Sequence, residues 1–133
     1  MLQRFILFIG IILFTFSCGE DDSGECNGIC TEEFKSINVE ITDSEENPVV
    51  LDSTSLTDIT NNREVDLNST GDIENGFYTI FNDNLLPEYK NEEIDLLFKG
   101  FQEENLIVEQ EYRIGADCCH VYPISGPLVI QLE

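Results

Sequence analysis

The sequence predicts an all-β domain, a single β-sandwich of about seven strands in two sheets. Three observations carry this reading. Apolar and polar residues alternate along several short stretches, which places the apolar set on one face of a strand. Clusters of Asn, Asp, Gly and Pro separate those stretches. Beyond the first eighteen residues, no segment shows a convincing amphipathic helical period.

Taken in order, Ile37, Val39 and Ile41 alternate with Ser36, Asn38 and Glu40, a half-buried strand within residues 34–41. Residues 42–47 turn the chain, and Pro48-Val49-Val50-Leu51 resumes a short extended segment. Residues 52–60, with Leu56 and Ile59 among Ser, Thr and Asp, read as an irregular edge strand, and Val65 and Leu67 mark a weak one. After a turn at residues 69–72 and another at Asn75-Gly76, Phe77-Tyr78-Thr79-Ile80-Phe81 is rich in the aromatic and β-branched types that strands favour. Residues 82–89 read as a loop. Ile94, Leu96 and Phe98 share one phase, and residues 99–105 form a hairpin connection. The strand that follows has Leu106, Val108, Gln110, Tyr112 and Ile114 on one face. Residues 115–127 read as a loop, and Leu128, Ile130 and Leu132 close the domain with a terminal strand. Phe77, Phe81, Phe98 and Tyr112 are expected in the core, whereas Tyr78, Tyr89, Phe101 and Tyr122 are candidates for a surface patch that binds peptide or glycan.

The chain begins with Arg4 before an apolar run at residues 5–16, shorter than the roughly 20 residues of a membrane span and suited to a signal peptide. Thr15-Phe16-Ser17-Cys18 resembles a bacterial lipoprotein signal. The resemblance implies cleavage before Cys18 and its lipidation, and more than one acyl chain gives stable anchoring. Residues 1–17 are then signal peptide, 18–25 an acidic tether and 26–133 the folded domain. Gly19-Glu20-Asp21-Asp22 is similar to the acidic sorting signal of surface-exposed lipoproteins of Bacteroidota. It implies residence in the outer membrane, held through the lipid anchor, and exposure at the cell surface. Within residues 34–51, Ile37-x-Val39-x-Ile41 running into Pro48-Val49-Val50 resembles the opening strands of transthyretin-like, carboxypeptidase-regulatory-type modules. That favours a transthyretin-like sandwich over an immunoglobulin-like one.

All 27 acidic residues follow the signal, against five of the six basic ones, within a formal net charge of −21. Such a field opposes nucleic acid, whose backbone is bound by basic groups, and favours solubility or cationic partners. A protein, peptide or glycan partner of unspecified identity is compatible with it.

Four cysteines remain besides Cys18: Cys26, Cys30, Cys118 and Cys119. In an exported domain these read first as disulfides. Pairing across the chain would join the domain's start to its last third, whereas adjacent Cys118 and Cys119 meet disulfide geometry poorly; the connectivity is left open. The alternative is tetrahedral zinc on Cys26, Cys30, Cys118, Cys119 and His120, although the C-x3-C spacing and export favour disulfides. Calcium could use oxygens at residues 82–84 or 43–46, but neither follows a twelve-residue calcium loop, and turns are the plainer reading. His120 is expected to be a loop or edge residue satisfying a hydrogen bond.

Asp117-Cys118-Cys119-His120 is the one concentration of chemically capable residues. Cysteine–histidine catalysis needs a free thiolate beside an oriented base, which neighbouring sequence positions do not establish. The expectation is therefore no catalytic residues, no resident metal and no cofactor. The chain reads as a lipid-anchored envelope protein, not an enzyme, acting as a binding or accessory module. The alternatives are a purely structural envelope protein, or a zinc-binding or cysteine–histidine enzyme using Cys118, Cys119 and His120.

Overall fold

The structure is a computed structural model and describes residues 29–67 and 71–133. The signal peptide, the acidic tether, the lipidation candidate Cys18 and Cys26 lie outside the described residues, as do two positions of the turn expected at residues 69–72. The described chain is predominantly β, with two sheets in a sandwich-like arrangement.

The smaller sheet is centred on β1 (Ser36–Thr42), with β4 (Phe77–Asn82) antiparallel on one side and β8 (Val129–Gln131) parallel on the other. The larger sheet runs β3-β2-β5-β6-β7, in which β2 is Ser53–Asp58, β3 Arg63–Glu64, β5 Glu92–Gln102, β6 Asn105–Ala116 and β7 Val121–Ser125. Alternation explains the interior. Ile37, Val39 and Ile41 of β1 meet Leu96 and Phe98 of β5, and Val108, Tyr112 and Ile114 of β6, in one buried cluster. The predicted phases of β1 and β5 are therefore correct. On β6, Leu106, predicted on the same face, is 47% exposed, because the register with β5 shifts between Val108 and Leu106.

Several segments differ from expectation. Residues 52–60 are an edge over only part of their length: β2 pairs with β5 from Ser53 to Asp58, while β3 covers its other side only at Thr57 and Asp58. Residues 82–89 are not a plain loop. A 3-10 turn (Asp83–Leu85) runs into α1 (Leu86–Tyr89), started by the Asn82 side chain accepting from the Asn84 N–H, with Pro87 near the helix start. The hairpin connection is shorter than expected: Glu103 and Glu104, both at positive φ, make the turn and let the strands run to Gln102 and Asn105. Residues 115–127 contain β7, paired with the end of β6. Gly126 follows it at φ 114, and a Cβ there would meet the Tyr112 ring at 2.3 Å, so glycine answers both backbone and space.

The aromatic assignments also change. Tyr78 and Tyr89, expected at the surface, are 3% and 2% exposed, while Phe77, expected in the core, is 38% exposed. The hydroxyls account for the first two. Tyr78 Oη accepts from the Leu51 N–H at 2.7 Å and donates to the Val49 carbonyl at 2.9 Å, tying β4 to the extended segment after β1. Tyr89 packs edge-on against Phe81 at 5.3 Å between centroids and carries the Arg63 guanidinium 4.6 Å above its ring.

Burial pushes the Tyr112 hydroxyl up to about 12; burial and the Asp58 charge do the same for Tyr89 despite the opposing pull of Arg63. The fold thus favours the neutral phenols. That stabilisation is complete below the unfolded value of about 10 and is lost as pH rises through the folded value. In a spectrophotometric titration we expect these two tyrosines to ionise late and together with unfolding. Ionisation of all four tyrosines near pH 10 with the fold intact would contradict their burial.

Candidate functional site: a sulfur cluster beside a hydrogen-bonded histidine

Two segments meet where the described chain begins. Residues 29–35 lead into β1, and residues 117–120 connect β6 to β7. The second is a tight turn: the Asp117 N–H donates to the His120 carbonyl, and Asp117 Oδ1 accepts from the N–H groups of Cys119 and His120 at 2.6 and 2.8 Å. Those two bonds hold the Asp117 carboxyl below its ordinary range. A short polar side chain closing its own backbone is the usual reason for Asp in a turn.

The turn presents two sulfurs to the leading segment. Cys30 and Cys119 form a disulfide across 89 residues, with Cα atoms 5.2 Å apart. The expected staple between the domain's start and its last third therefore exists. Cys118 is disulfide-bonded as well. The sulfurs of Cys30, Cys118 and Cys119 all lie within 4.8 Å of one another, so two bonded cysteines of one turn and one of the leading segment form a compact cluster.

His120 is anchored beside the sulfurs. Its Nδ1 lies 2.8 Å from Asp83 Oδ2, and its Nε2 lies 2.8 Å from Thr31 Oγ1. Asp83 is itself fixed: Oδ2 accepts from the Lys35 N–H at 2.8 Å and Oδ1 from the Val121 N–H at 2.9 Å. Burial pushes the Asp83 carboxyl up, but the hydrogen bonds from His120, Lys35 and Val121 outweigh it and leave the group below its ordinary range. A carboxylate at Nδ1 requires Nδ1 to carry the proton, which leaves Nε2 of the neutral ring as acceptor for the Thr31 hydroxyl.

Of the residues expected to matter, Cys30, Cys118 and Cys119 converge. His120 is a loop residue with satisfied hydrogen bonds, as expected, and stands with Asp83 and Thr31, outside the cluster of sulfurs within ligand distance. Neither loop considered for calcium is open in form. Asp43 Oδ1 is taken up by the N–H groups of Glu45 and Asn47, and Asn82 and Asp83 serve the turn, β1 and β7. Nothing in the sequence linked Asp83 or Thr31 to His120: Asp83 drew notice only as part of a calcium-candidate Asn-Asp-Asn turn, Thr31 sits beside a cysteine, and only the fold joins them.

The expectation that the chain is not an enzyme is corrected by this geometry. That expectation rested on neighbouring positions failing to establish a reactive arrangement. Three sulfurs within 4.8 Å, drawn from positions 30, 118 and 119, have the spacing of a metal-ligand set, so the chain has a capacity that the expectation denied. Thiolates, not disulfide sulfurs, bind metals and act as nucleophiles. The capacity therefore belongs to the reduced cluster, while the oxidised cluster is a staple.

Fold and site together define a class: an all-β, two-sheet domain with a disulfide-linked sulfur cluster and an ordered histidine beside it. No family model matches the chain, and no curated protein or solved structure matches it either.

Proposed function

We propose that this chain is a lipid-anchored envelope protein whose working element is the Cys30–Cys118–Cys119 cluster, a staple when oxidised and a site for a thiophilic cation such as zinc when reduced. The convergence of the three sulfurs within 4.8 Å carries the reading. Zinc takes four ligands at tetrahedral positions; three thiolates would supply most of the set and leave one position for water or a further group. The negative charge of the chain, with 27 acidic residues in all, favours cation approach. The anchor at Cys18, the outer-membrane location, its outward face and a transthyretin-like kinship of the sandwich belong to the same proposal. They are supported by the signal, by the acidic tract, and by the buried Ile37, Val39 and Ile41 of β1.

The test uses the full chain in detergent, with thiols counted before and after reduction. Native mass spectrometry with zinc should show about one ion per reduced chain and none on the oxidised chain, and Cys119→Ser, which removes a ligand itself, should weaken binding by more than the roughly 10–100-fold that loss of an outer-shell partner costs. A reduced chain that takes up no zinc would overturn the metal reading. Incorporation of a labelled fatty acid that disappears in Cys18→Ala would support the anchor independently.

A further inference from the structure

The Thr31–His120–Asp83 array has its own chemistry, separate from the sulfurs. It joins a hydroxyl, an imidazole and a carboxylate by two contacts of 2.8 Å, in the order nucleophile, base, orienter. The three come from the leading segment, the turn before β7 and the turn after β4, so no local sequence rule brings them together. Each is placed by something else. Asp83 is held by two backbone N–H groups, from Lys35 and Val121. The His120 N–H is held by Asp117, and the ring's Nδ1 by Asp83. Thr31 and His120 each follow a half of the Cys30–Cys119 bond by one residue, so the covalent link fixes their approach. Thr31 is exposed, whereas His120 and Asp83 are four-fifths and nearly nine-tenths covered: the residue that carries the hydroxyl is accessible and the base is sheltered.

We propose that, in the disulfide-intact protein, Thr31 is the nucleophile and His120 the general base of an acyl-transfer site for neutral or cationic esters. His120 Nε2 takes the hydroxyl proton as Thr31 Oγ1 forms a bond to the acyl carbon, and the carbonyl π pair moves to oxygen. Collapse of that intermediate breaks the ester C–O bond, and the leaving alkoxide takes the proton from Nε2. Water then attacks the acyl-threonine ester by the same route, releasing the carboxylic acid and restoring the hydroxyl. No oxidant, metal or cofactor enters the balance. Asp83 is a positioning residue, holding the ring with Nδ1 protonated. The net charge of −21 selects against anionic acyl donors. The staple adds control: cutting Cys30–Cys119 would loosen the hold of Thr31 on His120, and a base that meets its hydroxyl less often loses the benefit of orientation.

The experiment uses the full chain in detergent with its disulfides intact, p-nitrophenyl acetate as substrate, and peptide mapping of the acetyl group. General-base assistance is worth about 10²–10⁴-fold. Thr31→Ala and His120→Gln should each lower hydrolysis by roughly 10²-fold at the low end of that range. Thr31→Ser, which keeps the hydroxyl, should retain activity, and the acetyl group should be found on residue 31. Because Thr31 is exposed, its variants test the hydroxyl without removing packing. Equal rates for the parent and Thr31→Ala would overturn the proposal, as would acetylation confined to lysines. The oxidised state tested here binds no zinc in the preceding proposal, so the two readings fail independently.

Discussion

Reducing the Cys30–Cys119 bond is expected to cost the domain about 4–5 kcal/mol, the loop-closure value for a bond spanning some ninety residues, and to lower its Tm by roughly 15–30 °C. The bond spans 89 residues and ties the segment before β1, a central strand, to the turn between β6 and β7. An unfolded chain closed at those points samples far fewer conformations than an open one. The measurement is thermal unfolding by circular dichroism with and without reductant, with thiols counted to confirm reduction. The double variant Cys30→Ala/Cys119→Ala, which removes this bond alone, should reproduce most of the loss. An unchanged melting temperature in a fully reduced chain would show that the sheets hold without the staple. The hydrogen bonds of Thr31 and Lys35 to His120 and Asp83 would then secure the leading segment by themselves.

Asp58→Ala should be the most damaging single polar substitution, at about 2–4 kcal/mol, the range for removing a buried charged acceptor of several hydrogen bonds. Asp58 is 0% exposed at the end of β2. Its carboxylate accepts from the Asn61 N–H at 2.9 Å, from Asn61 Nδ2 at 2.8 Å and from Arg63 Nε at 3.3 Å, closing the β2–β3 hairpin. Arg63 in turn lies over Tyr89 and pairs with Glu88, so this acid organises the turn, β3 and α1 together. Burial pushes the Asp58 carboxyl up, but Asn61, Arg63 and Tyr89 outweigh it and hold it below its ordinary range. With the folded value below the unfolded one, near 3.9 for Asp, the stabilisation is complete above the unfolded value and lost as pH falls through the folded one. Asp83 has the same sign. Chemical unfolding at a series of pH values should therefore show stability falling below about pH 4, and Asp58→Asn should flatten that acid limb. An acid limb of the same slope in the variant would assign the loss to other carboxylates.

The strands were legible where one face is buried and the other wet. Ile37, Val39 and Ile41, and Ile94, Leu96 and Phe98, could be assigned from period alone because a slip of one residue would expose the whole set. The same rule failed where polar groups do the work. Ser53–Asp58 carries little apolar signal in its Ser, Thr and Asp side chains, and only its last two residues, Thr57 and Asp58, gain a second partner strand. Tyr78 and Tyr89, expected at the surface, are buried because the fold gives their hydroxyls partners: Val49 and Leu51 for Tyr78, and Asp58 for Tyr89. The short helix at Leu86–Tyr89 is too brief to show a period.

The site divides in the same way. Sequence by itself determined that four cysteines besides Cys18 fall in two distant groups, and that a long bond between the groups was the favoured geometry. It also determined the alternation that builds two sheets. Only the tertiary structure decided that Cys30 pairs with Cys119, that a third sulfur stands within 4.8 Å, and that Asp83 and Thr31 flank His120. The physical reason is range. Alternation is a local consequence of strand geometry, repeated every second residue. A meeting of residues 31, 83 and 120 depends on how strands from two sheets are stacked and joined, and no periodicity along the chain encodes that.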